Sequence, residues 1–433
     1  MVFLVKTSTV VIEAPEEKPP SITSLEKEVE EEPPSKTRPL KYQFFSHVPP
    51  GNWNDWHWHF QNRISTVEEL IKFIPLLSRE QVRLKLVTAK YPLAITPYYL
   101  SLINPDDPND PIAKQAVPSF QEVALSGLGR EDPLEEKRDS VVPGLVHRYP
   151  DRVLMVLTDI CSMLCRHCTR KREWRHGTWV RSHAEIEAML AYIRGNKAVR
   201  DVILSGGDPL TLSNRRLEEV LAALRQIPHV EIIRIGTRFP VVLPQRIDAE
   251  LCNVLSKYGP IWLNTHFNHP NEITPESAGA CDRLLRSGVP VNNQSVLLRG
   301  VNDTVETQMK LCHDLLRIKV RPYYLFQCDD VEGTEHFHTP LGTGIKIMEQ
   351  MRGHTSGLAI PTFVVDLPGG GGKVPVQPNY ILSQTEDEFI LRNYEGRIFR
   401  HRNPNLSASG SMKCNRRADG RNSGNNQLAF CQL

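Results

Sequence analysis

Seven short apolar runs between residues 152 and 368 do most to limit what this chain can become. They read "RVLMVLT" (152–158), "DVILSG" (201–206), "EIIRIGT" (231–237), "IWLNTHF" (261–267), "VPVNNQSVLL" (289–298), "RPYYLFQ" (321–327) and "TFVVDLP" (362–368). Within each, apolar and polar positions alternate, the period of a pleated strand. Amphipathic stretches such as "HAEIEAMLAYIRGN" and "RLEEVLAALRQI" separate most of them. In the first, Ile186, Met189, Leu190 and Ile193 fall on one face at helical spacing. Repeated strand–helix units demand a parallel sheet with right-handed crossovers, because a parallel neighbour is reached only through a long connection. The expected architecture is α/β: a partial (β/α) barrel with its chemistry at the C-terminal ends of the strands.

The flanking segments differ in kind. Residues 14–38 are rich in Pro, Glu, Lys and Ser and cannot offset the entropy of ordering, so residues 1–40 are expected to be a disordered tail. Residues 41–140 carry capped helical patterns, among them "STVEELIKFIPL" with Ser65-Thr66 ahead of glutamates, and read as a mainly helical extension. The barrel is expected over 141–376. Residues 377–433 form a C-terminal region whose end, from about 400, is polar, basic and expected to be disordered. A net charge of +2 over 433 residues implies no polyanionic partner, so no nucleic acid is expected. No run approaches the roughly 20 apolar residues of a membrane span, and the start lacks the marks of a targeting segment. Nine cysteines, an odd number and thinly spread outside one cluster, do not make a disulfide framework, which points to a reducing, cytoplasmic setting.

Three of those cysteines are bunched. "CSMLCRHC" places Cys161, Cys165 and Cys168 just past the first strand, where barrel chemistry belongs. Core cysteines do not gather in a loop flanked by Arg166, His167, Arg170, Lys171 and Arg172, and a structural zinc site shows a second ligand pair that is missing nearby. A [4Fe-4S] cube with one open iron accounts for three ligands: three thiolates hold three irons and the fourth takes a small molecule. The neighbouring cations offset the cluster's negative charge.

The spacing CxxxCxxC after a first barrel strand resembles the radical S-adenosylmethionine (SAM) superfamily. "RYPDRVLMVLTDICSMLCRHCTRKR", "LSGGDPLTLS", "IGTRFPVVLP", "LNTHFNHPNEIT", "RPYYLFQCD", "RGHTSGLAIPTFVVDLPGGGGKVPVQPNY" and the N-terminal "WNDWHWHFQNRI" narrow the resemblance to the lysine 2,3-aminomutase family, over about residues 45 to 395. The resemblance implies a [4Fe-4S] cluster on Cys161, Cys165 and Cys168, SAM on its open iron, and pyridoxal 5′-phosphate (PLP). It implies 2,3-amino migration on L-lysine, giving L-β-lysine, with a reducing electron donor and a homo-oligomeric assembly. The alternatives are a relative acting on another amino acid and an inactive cluster-binding relative.

Site residues carry over one by one. "SGGDPL" contributes Gly206, Gly207 and Asp208, and "THFNHP" contributes His266, all on the SAM side by resemblance. Read alone, the first is equally a plain βα turn and the second equally a structural histidine. "PGGGGKVP" fails as a phosphate loop, with Leu367 at its first glycine position and Val374 where Ser or Thr is required. By resemblance its Lys373 holds PLP as an imine. Arg148 and Arg152 would grip the PLP phosphate. Arg170 would fork onto the substrate α-carboxylate, and Asp329 and Asp366 would receive its ε-ammonium. Two carboxylates in a desolvated pocket call for a cation and reject an acidic substrate. The histidines of "HWH" (57–59) and "HFH" (336–338) are read as incidental. One departure concerns the family's zinc: Thr304 stands where a loop ligand is expected, and only Cys414 and Cys431 lie near the end, which leaves a zinc site in doubt.

Overall fold

The computed structural model describes residues 44–404, apart from Ser126 and His176. The expected tails, with Cys414 and Cys431, lie wholly or largely outside the described residues. The described residues belong to one compact unit.

A ten-stranded sheet runs in sequence order: β1 (Ser140–Val142), β2 (Leu145–Tyr149), β3 (Arg152–Val156), β4 (Asp201–Ser205), β5 (Ile232–Gly236), β6 (Ile261–Thr265), β7 (Val291–Leu297), β8 (Arg321–Gln327), β9 (Thr362–Leu367) and β10 (Gly372–Pro375). The seven strands β3 to β9 are the seven runs read from the sequence, and all six pairings among them are parallel. Antiparallel strands flank the series at both ends, and β1 does not pair with β10. The sheet is therefore an open, partial (β/α) barrel.

Alternation explains how the strands divide their side chains. In β4, Val202 and Leu204 are buried under the outer helices, whereas Asp201, Ile203 and Ser205 face inward. The crossover helices supply the matching apolar stripe. His183–Gly195 buries Ile186, Met189, Leu190 and Ile193, the face read from the sequence, and opens with a capping box of Ser182 and Glu185. Asn214–Arg225 buries Leu217, Val220, Leu221 and Leu224. Each such side chain contributes about 1.5–3 kcal/mol on burial, so the helix–sheet layer carries much of the stability and leaves the inner face free for polar groups.

The N-terminal region consists mostly of short helices, the longest Ser78–Lys90. Its contribution is to clamp the cysteine loop. Leu164 N–H donates to the Ala94 carbonyl at 3.0 Å, Arg166 N–H to the Gln115 carbonyl at 2.9 Å, and Arg63 Nη1 to the Cys161 carbonyl at 2.7 Å. Arg166, fully buried between two of the cysteines, forks onto Glu122, and Lys171 Nζ donates to the same carboxylate at 2.7 Å.

Beyond the barrel lies a second sheet that the periodicity did not announce: β11 (Ile381–Gln384), β12 (Glu388–Arg392) and β13 (Ile398–Arg402), antiparallel. None of its residues is buried.

Candidate active site

One cavity of about 570 Å³ opens along the inner face of the sheet, and all thirteen candidate residues line it. The C-terminal ends of the strands contribute most of them. The loop after β3 brings Cys161, Cys165, Cys168 and Arg170. The turn after β4 brings Gly206, Gly207 and Asp208, and β6 is followed by His266. Asp329 follows β8, Asp366 lies in β9 and Lys373 in β10. Arg148 and Arg152 enter from β2 and β3.

The three cysteines are free thiols, half-buried at the cavity wall. Burial raises the Cys161 thiol well above its ordinary value and the Cys168 thiol to about 11, with the other cysteines adding to both shifts. Among the described residues no three His, Cys, Asp or Glu side chains converge on a single ion. Three thiols lining one cavity suit a multi-iron cluster that would hold them as thiolates.

The glycines of "SGGDPL" line the cavity and also pack closely against the chain itself. At Gly206, φ is +141°, and a Cβ there would lie 2.2 Å from the Thr158 carbonyl oxygen; at Gly207 it would lie 2.4 Å from backbone atoms of Asp159. The close approach is to the strand leading into the cysteine loop. Gly207 and Asp208 donate their N–H groups to Thr158 and Ile160 carbonyls at 2.5 and 2.8 Å, locking the two turns together. Asp208 accepts from Thr237 Oγ1, Arg238 N–H and Leu210 N–H. Burial nevertheless lifts its pKa to about 6. His266 is pushed down to about 4 by burial and by the Arg238 charge, so it is neutral at pH 7.

At the other end, Gly369 and Gly370, both at positive φ near +70°, turn β9 into β10 and set Lys373 opposite Asp366 in antiparallel register. Lys373 therefore sits in a strand, not in the loose loop that four glycines suggest. Its Nζ donates to Asp366 Oδ1 at 3.0 Å, and its backbone N–H donates to the Tyr149 hydroxyl at 2.9 Å. Asp329 shares the site: burial first, and the Asp366 carboxylate second, raise its pKa to about 7, against the Lys373 charge.

The arginines require correction. Arg170 does not present an open fork. Its Nε and Nη2 are held by Glu136 at 3.0 and 2.7 Å, which leaves Nη1 with longer contacts to Ser205 Oγ and the Gly206 carbonyl. Arg148 donates to Asp139 at 2.7 Å and to the Leu134 carbonyl, and Arg152 pairs with Asp151 and covers the Tyr149 ring at 3.8 Å. Partly buried guanidinium groups require acceptors, and for Arg148 and Arg170 the fold supplies Asp139 and Glu136, carboxylates outside their motifs.

Among the lining residues that the sequence reading did not single out are Glu136, Tyr149 and Arg238. Arg238 was detectable in principle as a cation two residues past the end of a barrel strand. Glu136, in an unremarkable acidic stretch, carried no signal.

Comparison with known proteins now decides the family. The chain is 57% identical over 364 residues to L-lysine 2,3-aminomutase from Clostridium subterminale, a match covering 84% of this chain and 88% of that one. The chain belongs to the lysine 2,3-aminomutase family. A second relative, L-lysine 2,3-aminomutase from Acetoanaerobium sticklandii, is 56% identical over 84% of this chain and 88% of its own. Glutamate 2,3-aminomutase from Clostridioides difficile is 45% identical over 81% of this chain and 82% of its own. Residues 155–312 match the radical SAM superfamily, and residues 348–427 match the family described as lysine-2,3-aminomutase. Membership implies a [4Fe-4S] cluster, SAM and PLP, and the thiol triplet, the strand-end turns and Lys373 in one cavity fit all three.

Proposed function

We propose that the protein is a radical SAM, PLP-dependent L-lysine 2,3-aminomutase, interconverting L-lysine and L-β-lysine. The observation that carries the lysine reading is the acidic pair: Asp329 and Asp366 share one buried end of the cavity, where Lys373, a lysine side chain, already donates to Asp366. A second carboxylate from a glutamate substrate would meet like charge there.

When bound, the cluster and SAM supply a hydrogen-abstracting radical and PLP carries the migrating amino group. The chain's own residues hold and orient. Cys161, Cys165 and Cys168 would ligate three irons, while Gly206, Gly207, Asp208 and neutral His266 line the SAM side. Lys373 would tether PLP, with Tyr149 fixing its backbone and Arg148 and Arg152 nearest to serve the phosphate. Arg170, held by Glu136, would offer Nη1 to the substrate carboxylate. Asp329 and Asp366 would take the ε-ammonium, which sets the length and charge of the substrate. Tyr323, Tyr324 and Phe326 give the cavity apolar walls that limit water around reactive species.

A reducing electron donor and a reducing, cytoplasmic setting belong to this proposal, supported by seven free cysteines among the described residues. No helix among the described residues is long and apolar enough to cross a membrane. Self-association belongs to it too, supported by Ile381, Leu382, Ile398 and Phe399 standing exposed on the second sheet; light scattering would test it.

The deciding experiment is product analysis. Anaerobically reconstituted protein with lysine, SAM, PLP and a reductant should yield β-lysine, without solvent deuterium at C2 or C3 when the reaction runs in heavy water. No lysine consumption by cluster-replete protein, or preferential turnover of glutamate, would overturn the proposal.

A further inference from the structure

We infer that Arg238 is a positioning residue for the iron–sulfur cluster: one guanidinium N–H is held on Sγ of Cys165, and the contact makes the cluster easier to reduce. The inference rests on the proposed function above, since it needs the cluster on the cysteine triplet.

Arg238 Nη1 lies 2.8 Å from Cys165 Sγ. The other two nitrogens of the side chain are tied down. Nε donates to the His266 carbonyl at 3.0 Å, and Nη2 to Gln115 Oε1 at 2.6 Å and Glu272 Oε1 at 2.7 Å. Its backbone N–H donates to Asp208 Oδ2 at 2.8 Å. Glu272 is fully buried and is itself fixed by the Tyr99 hydroxyl at 2.6 Å and by two backbone N–H groups. The guanidinium cannot swing away without leaving the buried Glu272 carboxylate with no cation beside it, a costly change. Its counter-charge is bonded to Nη2, so the N–H facing the sulfur belongs to the other nitrogen.

The arrangement is asymmetric. Cys168 Sγ accepts only a longer contact, 3.4 Å from the Arg170 backbone N–H. Among the described residues, no hydrogen bond reaches Cys161 Sγ. Hydrogen bonds to cluster sulfurs and nearby positive charge stabilise the more negative, reduced cluster and so raise its potential. In a buried site of low dielectric this influence is larger than it would be in water. A residue that served packing alone would have no need to spend a charged donor on a thiolate.

The test uses full-length protein, anaerobically reconstituted, with Arg238→Gln, Arg238→Lys and wild type labelled with guanidino-15N arginine. Wild type should bind about four irons per chain and show a weak 15N coupling in pulsed EPR of the reduced, SAM-free cluster. Arg238→Lys, which keeps the charge, guards against loss of the cluster; it should stay iron-replete and lose that coupling. Iron-replete Arg238→Gln should shift the reduction equilibrium at least tenfold toward the oxidised form, about 59 mV for one electron, with Arg238→Lys in between. An unchanged potential in iron-replete Arg238→Gln, no 15N coupling in wild type, or a coupling that persists in Arg238→Lys would each overturn the inference while leaving the aminomutase reading intact. Wild type that binds no cluster would overturn both.

Discussion

Replacing Asp366 with Asn isolates charge from shape at the acidic end of the cavity. The side chain is 6% exposed and accepts from Lys373 Nζ at 3.0 Å, so it sits where a cation is stabilised with little help from water. Lys373 is itself 36% exposed, so solvent screens this pair in the substrate-free protein. The cost of removing one partner of a fully buried ion pair, about 3–5 kcal/mol, is the upper bound for an enclosed substrate ammonium. At about 1.4 kcal/mol per factor of ten, kcat/KM for lysine should fall by up to roughly a hundred- to a thousandfold. The ε-ammonium is remote from the carbons exchanging nitrogen, so its contact is made equally in ground and transition states, and most of the loss belongs in KM. PLP should still attach to Lys373, because the imine carbon needs the amine and not the carboxylate. The variant also removes the charge that helps raise Asp329, whose pKa should drop below its present value of about 7. Anaerobic initial-rate kinetics with PLP occupancy measured on the same samples would check this. A kcat/KM within threefold of wild type for both Asp366→Asn and Asp329→Asn would refute the assignment of the pair to the substrate.

Other expectations follow from the same geometry. Asp329 must be ionised to hold an ammonium, so kcat/KM for lysine should fall about tenfold per pH unit below about 7, and a pH profile of Asp329→Asn should lack that limb. The linkage sign for the substrate-free protein is the opposite of an ordinary paired carboxylate: Asp329 binds its proton more tightly folded than unfolded. Its contribution should therefore become less favourable as pH rises from about 4 to about 7, and denaturant titrations should show that loss reduced in Asp329→Asn. Glu122, buried between Arg166 and Lys171, is held below the usual carboxylate range by those cations against the opposing effect of burial. Glu122→Ala should cost about 3–5 kcal/mol, seen as a lowered thermal midpoint together with poorer iron incorporation. Serine at Cys161, Cys165 or Cys168 should abolish SAM cleavage; normal cleavage by any one of them would remove that residue from the ligand set. Borohydride should fix PLP on Lys373, and label on another lysine by peptide mapping would reject that assignment.

How far the sequence reaches depends on whether a feature is local. The seven strands of the parallel series and the faces of their helices were legible because period-2 and period-3.6 patterns are written in consecutive residues. The cysteine triplet was legible for the same reason: its spacing alone sets three thiols in one loop just past a strand. Resemblance to the lysine 2,3-aminomutase family, not periodicity, then assigned residues two hundred positions apart to one site before any coordinates. The exposed strands β11 to β13 were not legible, since without a buried face they have no alternation to read.

What only the tertiary structure decided is which groups meet. Arg170 reads as an open fork until Glu136, 34 positions away, is seen to hold it. The glycines of "SGGDPL" read alone as a plain βα turn until Gly206 is seen against the Thr158 carbonyl. Lys373 reads as a loop lysine until the β9–β10 hairpin sets it across from Asp366. Arg238 carries no signal of its role until its four anchors and the sulfur of Cys165 come together from four separate segments. The physical reason is common to all four. Periodicity and spacing describe one segment's preferences, whereas a buried charge or a close backbone contact is satisfied by whatever distant segment the chain folds against it.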